Sequence, residues 1–398
     1  MRLSKLPILV TWLACALPAA GAEDPPSIAD IIQPFVDQGR FAGAVVAIVS
    51  KDKVLDFQAV GYADVAAKKP MRKDTMFWIA STSKPFQATA LMMLVDDGKV
   101  KLDDPVSKYL PGFSPRISEK AADGTETLRE PTQPVTLRML LNHTHGLRNP
   151  IYSPIAPKTD SVSLSAFVDD LLTRPLLNEP GTTFSYSDNG VSVASRVVEV
   201  VSGLSFEAFL ESRLLKPLGM KDTTYFPSKE QQSRLATAYF VPPGTKTLMP
   251  VPPEMSPLTS PLDDRKLRYA PVGALFSTAS DLGKFAQMFL NKGKLHGHRY
   301  LSENAVAEMT RSQLSAQAKD SLPQLGGLDA PHSYGLGWGL GSTGAYFHPG
   351  MASTDIRVDP TRRIGIVYLP QHGGDDVAFE IRWKIMDSAE RRFVPNGK

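Results

Sequence analysis

Apolar residues in this chain recur at two spacings, and the alternation between them outlines its architecture. From Ser27 to Gln38, Ile28, Ile31, Ile32, Phe35 and Val36 fall at helical intervals and predict an opening helix. Ala44 to Val49 and Val54 to Val60 read as a strand pair joined through the polar turn Lys51-Asp52-Lys53. From about 86 to 220 the pattern is mostly helical, interrupted by a polar loop over Arg116 to Pro134. Within that region Leu164 to Thr173 and Val191 to Ser202 are amphipathic helices, the second stopped by Gly203. Pro242, Pro243, Pro250, Pro252, Pro253, Pro257 and Pro261 predict an irregular ordered loop or lid, because proline neither continues helices nor fills central strands. Leu282 to Leu290 returns to helix. Strands resume with Tyr334 to Leu340, Tyr346 to His348, Ile356 to Val358 and Ile364 to Leu369, the last two flanking an Asp359-Pro360 turn. An amphipathic helix from about Asp375 to Phe393 completes the pattern.

Strands at both ends with helices between them predict an α/β chain of the α+β type. One antiparallel sheet flanked by helices is built from both termini, and a mainly helical domain is inserted against one side. The expected division is 23–85 with 270–398 for the α/β domain and 86–269 for the helical domain, which carries the Pro-rich loop 241–262. A length of 398 residues suffices for one large domain or two.

The first residues obey a different rule. Arg2 and Lys5 precede an apolar run from Leu6 to Leu17, and Ala20-Gly21-Ala22 offers small residues for cleavage, so residues 1–22 read as a signal peptide. The run is too short to span a bilayer, and no later stretch reaches that length. The expectation is a periplasmic or secreted protein without stable membrane insertion. Cys15, the only cysteine, lies inside the leader, so the processed chain has neither disulfide nor thiol nucleophile. Leu13-Ala14-Cys15 faintly resembles a lipoprotein cleavage box, into which Trp12 fits badly. The +3 of the full chain, less the charges of Arg2 and Lys5, leaves +1, which is no footprint for nucleic acid or an anionic membrane.

Candidate chemistry starts at Phe77-Trp78-Ile79-Ala80-Ser81-Thr82-Ser83-Lys84. An apolar run delivers Ser81 to the start of a helical pattern, and Lys84 lies three residues on, on the same helix face. A serine hydroxyl is a poor nucleophile until a neighbouring base takes its proton, and this spacing is one known solution. The helix start also favours developing negative charge. Ser50-Lys51-Asp52-Lys53 shares the spacing but sits at a hairpin turn, where nothing aligns the side chains.

Tyr186-Ser187-Asp188 offers a phenol and a carboxylate just before a helix; the same turn can equally serve only to cap that helix. His348-Pro349-Gly350 ends a strand-like segment. Its glycine can admit a ligand close to the backbone, with the Met351 N–H as a donor, or can mark a plain hairpin bend. The pairs His143/His145 and His296/His298 lack a third ligand at sensible spacing, so no metal is expected. No G-x-S-x-G elbow, P-loop or dinucleotide fingerprint occurs, and no cofactor is expected.

Taken in order, Ser81-x-x-Lys84, Tyr186-Ser187-Asp188 and His348-x-Gly350 resemble the serine β-lactamase superfamily. The likeness is narrower to its class C-like branch of family VIII carboxylesterases, D-aminopeptidases and DD-peptidases. Leu140 to Leu147, Pro217-Leu218-Gly219-Met220 with Asp222-Thr223, and Phe276 to Leu282 point the same way. The resemblance spans about Ile28 to Leu369 and implies a site in the cleft between the two domains. It implies Ser81 as the acylated nucleophile, Lys84 and Tyr186 sharing acid–base work, and the amides of Ser81 and Met351 as oxyanion hole. Two departures matter. Asp188 stands where many relatives carry asparagine, and its charge beside Lys84 favours the ammonium, shifting weight to Tyr186. His348 stands where many carry lysine, and a mostly neutral imidazole removes a fixed cation. The expected activity is therefore an exported carboxylesterase on short acyl esters with weak β-lactamase activity. The alternatives are a D-alanyl-D-alanine carboxypeptidase, D-aminopeptidase or β-lactamase, and, from another class, a non-catalytic binding or scaffold protein.

Overall fold

The computed structural model describes residues 24–120, 123–147, 163–172, 174–252, 262, 273–323 and 331–394. The expected leader, with Cys15, lies outside the described residues. Strands β1 (Gly43–Val49), β2 (Val54–Asp64), β3 (Lys69–Pro70), β4 (Ser333–Tyr334), β5 (Gly339–Leu340), β6 (Tyr346–Pro349), β7 (Asp355–Asp359) and β8 (Ile364–Pro370) make one eight-stranded sheet. Its order is β4-β5-β6-β7-β8-β1-β2-β3, antiparallel throughout. The two ends of the chain meet where β1 pairs with β8, Val46 opposite Tyr368.

β1 is an unbroken apolar run because both of its faces are covered. Ala44, Val46 and Ile48 enter a cluster with α1 (Ile28–Asp37) and the C-terminal helix, and Val45, Ala47 and Val49 enter the main core. α1 begins as its sequence suggests: Ser27 Oγ accepts the Asp30 N–H, and the Asp30 carboxylate accepts the Ser27 N–H at 3.0 Å. The helices that bear on the site are α2 (Lys84–Asp96), α3 (Leu137–Leu141), α4 (Leu164–Leu172), α5 (Asp188–Ser202), α6 (Ala279–Leu290) and α7 (Val377–Phe393). α2 is buried from Lys84 to Leu94, as a central helix with apolar residues all round must be. α5 ends at Gly203 with φ +73°, as its sequence predicts. One apolar cluster runs from the sheet through α2, α3, α4 and α5, so the inserted helices share their core with the strands.

Three expectations need correction. The stretch Arg116 to Pro134 is not simply a loop, because Ile117–Lys120 pairs with Glu126–Arg129 as a hairpin. Its polar, mostly exposed residues give no apolar alternation, and an Arg129–Glu119 ion pair across the strands stands in for it. Tyr334 to Leu340 is not one strand but the hairpin β4–β5, closed where the Gly335 N–H donates to the Trp338 carbonyl. The Pro-rich segment is not wholly irregular: Met249–Pro250 pairs with Tyr239–Phe240, which runs parallel to His372–Gly373. Residues 253–261 of that segment lie outside the described residues. Among the described residues, no helix is long and apolar enough to cross a membrane.

Gly190, in the first turn of α5, carries the contact with the α3 end. A Cβ there would lie 2.4 Å from ring atoms of His145 and 2.8 Å from the Leu140 carbonyl oxygen. Gly190→Ala is expected to lower unfolding stability by about 1–3 kcal/mol, the usual cost of overpacking. Denaturant titration measures it, and an unmoved midpoint would contradict this packing.

Candidate active site

Phe77–Trp78 pairs with Phe276–Ser277 and feeds the chain into a tight 3₁₀ turn, Ala80–Ser83, immediately before α2. Ser81 therefore sits just ahead of the helix rather than on it. Ala80 adopts φ +46°, a left-handed conformation that costs an alanine roughly 1–2 kcal/mol. Such a turn persists only when its surroundings overdetermine it. The Thr354 hydroxyl donates to the Ile79 carbonyl at 3.0 Å, and the Thr82 hydroxyl lies 3.1 Å from the His348 carbonyl and 3.0 Å from Thr354 Oγ1.

These contacts explain Gly350 differently from the sequence. A Cβ there would lie 2.3 Å from Thr354 Oγ1, 2.5 Å from the Ile79 carbonyl and 3.0 Å from Thr82 Oγ1. The space is taken by the protein's own turn, so the glycine lets the end of β6 approach the Ser81 turn rather than a ligand approach the backbone. The Met351 side chain follows on the rim, 69% exposed.

Lys84 has no exposed surface. Its Nζ donates to Ser81 Oγ at 3.0 Å, pairs with Asp188 Oδ1 at 2.6 Å, and lies 4.6 Å from the centroid of the Tyr186 ring, whose phenol also hydrogen-bonds it. Burial is the largest influence on this amine and pulls its pKa down. Tyr186 and Asp188 together outweigh it, and the net effect holds Lys84 above the ordinary lysine value. The Tyr186 turn caps its helix and also reaches Lys84. Ser187 caps α5 by accepting the Asn189 N–H at 3.1 Å, and Asp188, the first helical residue, reaches Lys84. Tyr186 keeps 38% of its surface exposed.

His348 is buried, with Nε2 3.0 Å from the Tyr334 hydroxyl and Nδ1 2.9 Å from the Pro349 carbonyl. Burial, then the Lys84 charge, lowers its pKa to about 3, so the imidazole is neutral. The structure thus gathers Ser81, Tyr186 and Asp188 around the Lys84 amine, with His348 and Gly350 one layer behind. Ser50 stays apart, its hydroxyl donating to Asp52 at 2.6 Å.

The His143 and His145 rings lie edge to face with centroids 6.5 Å apart, but their nitrogens have different partners. His143 faces Tyr334, His145 Nδ1 accepts the Leu147 N–H at 2.9 Å, and His298 packs on Tyr300 with ring centroids 4.5 Å apart. Among the described residues, no group of three or more His, Cys, Asp or Glu side chains is placed to hold a metal ion. Thr82, Thr354, His143 and Tyr334 went unrecognised as site residues in the sequence. Only His143 had a signal there, inside the stretch Leu140 to Leu147.

Comparison with known proteins shows the family. Protein Rv1367c of Mycobacterium tuberculosis is 29% identical over 370 residues, covering 86% of this chain and 89% of that one. Esterase EstB of Burkholderia gladioli is 33% identical over 237 residues, covering 56% of this chain and 57% of its own. The solved structure of EstCE1, titled a hydrolase with promiscuous acyltransferase activity, is 25% identical with a TM-score of 0.75, covering 90% of this chain and 97% of that one. The Beta-lactamase family model matches residues 28–390, so this chain belongs to the beta-lactamase family and is a hydrolase of the serine β-lactamase fold.

Proposed function

We propose that this chain is an exported carboxylesterase that cleaves short acyl esters through an acyl-enzyme on Ser81. In this reading residues 23–85 and 270–398 form the α/β domain, 86–269 form the helical domain, and the leader-like pattern of residues 1–22 directs export. The observation that carries it is the convergence of Ser81 Oγ and Asp188 Oδ1 on the buried Lys84 Nζ, at 3.0 and 2.6 Å, under the Tyr186 ring.

A charged Lys84 cannot accept the serine proton, so in this reading the Tyr186 oxygen accepts it, beside the ammonium. Ser81 Oγ bonds to the ester carbonyl carbon while its proton passes to Tyr186. The C–O bond to the alcohol then breaks, and the leaving alkoxide takes the proton from Tyr186. Water then gives a proton to Tyr186 as it attacks the acyl carbon, and the C–O bond to Ser81 breaks with Oγ taking that proton back, which frees the acid and restores Ser81. The amides of Ser81 and Met351 receive the oxyanion, an interaction worth about 3 kcal/mol per donor in serine enzymes. A neutral His348, with both ring nitrogens engaged, offers no cation to a substrate carboxylate. That favours uncharged esters over penicillins or peptide C-termini.

Short-chain nitrophenyl esters and a chromogenic cephalosporin, compared on the processed chain, test the assignment. Esters are expected to turn over faster, with Ser81→Ala inactive and Ser50→Ala like wild type. Fast cephalosporin hydrolysis with negligible ester cleavage would replace the esterase by a β-lactamase. Failure of a fluorophosphonate to add to Ser81 in intact-mass measurements would favour a scaffold. Tyr186→Phe is expected to lower kcat about 10²–10⁴-fold, the range for a lost acid–base group; a drop under about threefold would remove the phenol from proton transfer. The Lys84 ammonium persists below its raised pKa and is lost as pH climbs through it. Asp188→Asn removes one of the two groups that raise that value. The alkaline limb of kcat/KM should therefore move to lower pH, and an unmoved limb would show that the carboxylate does not hold the charge.

A further inference from the structure

A buried polar file behind the site takes no part in the acyl transfer described above. The Ser187 N–H is 3.2 Å from His143 Nδ1, and His143 Nε2 is 3.2 Å from the Tyr334 hydroxyl. That hydroxyl is 3.0 Å from His348 Nε2, and His348 Nδ1 is 2.9 Å from the Pro349 carbonyl. His143, Tyr334 and His348 are all buried.

The two ends of this file dictate its direction. A backbone amide only donates, so His143 Nδ1 is a lone pair and the neutral ring carries its proton on Nε2. That proton goes to the Tyr334 oxygen, whose own hydrogen is then free for His348 Nε2. His348 must carry its proton on Nδ1, and it donates to the Pro349 carbonyl, which only accepts. Reversing any link sets two donors or two lone pairs against each other. The two histidines therefore hold opposite tautomers, although Lys84, Asp188, Tyr186 and His145 all stand nearby. Burial, reinforced by the Lys84 charge, keeps both rings neutral.

The ladder joins two parts of the site that no strand or helix connects. One end is the turn bearing Tyr186 and Asp188, against which the His143 ring packs with centroids 4.7 Å apart. The other is the end of β6, which leads to Gly350 and Met351. His143 is held at φ +61°, a strained position for a residue with a Cβ, and its carbonyl accepts the Ser185 N–H at 2.8 Å. We propose that Tyr334 is a positioning residue whose hydroxyl, through this one-way ladder, keeps the Tyr186 turn in register with the Met351 end of β6. His348 then has no hydrogen-bonding atom left for a substrate and acts by position. This catalytic role rests on the acyl-enzyme reading; the ladder itself does not.

Two measurements decide it. Ring-¹⁵N NMR of the processed chain, assigned with His143→Gln and His348→Gln, should show His143 protonated on Nε2 and His348 on Nδ1. Tyr334→Phe keeps the ring against Phe184 and removes only the hydroxyl. It should lower kcat about 10- to 100-fold, the scale of a misplaced catalytic group, with KM changed by less than about twofold. His143→Gln, whose amide can still donate to Tyr334, should fall less than His143→Leu. A His348 proton on Nε2, unchanged kcat in folded Tyr334→Phe, or equal losses in the two His143 variants would overturn the proposal. Should wild type cleave no ester, the esterase reading fails while the ring spectrum still decides the ladder. Should Tyr334→Phe not fold, the spectrum and the His143 pair decide.

Discussion

A lysine ammonium with no surface in water has to be answered by charge and hydrogen bonds from the protein itself. Stripping such an ion of solvent costs several kcal/mol even after relaxation, and a buried charge without partners is strongly destabilising. Lys84 satisfies that demand with Ser81, Asp188 and Tyr186, drawn from the turn before α2 and the start of α5. One amine thus joins the two segments that carry the proposed nucleophile and the proposed proton carrier. Tyr186 and Asp188 together outweigh burial and keep the amine charged, so in the proposed reading the lysine is an electrostatic partner rather than a free base.

A second constraint is steric. The Ser81 turn contains a left-handed alanine, and it is held by hydroxyls from Thr82 and Thr354 and by the close passage of β6 at Gly350. Close packing of this kind leaves no room for a side chain at 350, where a Cβ would fall 2.3 Å from Thr354 Oγ1. The strain at Ala80 is therefore offset by contacts from β6 and the turn that follows it, 266 and 275 positions away in sequence, a hairpin anchored in the eight-stranded sheet. The proposed oxyanion donors belong to these two touching turns.

The polar groups behind the site are as specific as those in it. A directional file of neutral groups adds no charge to the pocket, whereas a lysine at position 348 would. Relatives of this fold include a protein named an esterase and others named penicillin-binding proteins, so the scaffold alone leaves the substrate undetermined. The local electrostatics of this chain are what favour an uncharged acyl group in the proposed reading.

Local patterning made much of the architecture legible. Periodicity found α1, the β1–β2 pair, α5 with its glycine stop, β8 and α7, because each buries a face whose spacing is written in consecutive residues. The ordered motifs at Ser81, Tyr186 and His348 identified the family for the same reason, each being a short fragment with fixed spacing. The hairpin at 117–129 and the break inside 334–340 left no such trace; charge pairing in one and a glycine turn in the other replace apolar alternation. The tertiary structure alone decided what Gly350 makes room for, that His348 is spent on Tyr334 and Pro349, and that His143 and Tyr334 stand behind the site. Those contacts join residues up to 275 positions apart, and no local period can encode a partner that distant.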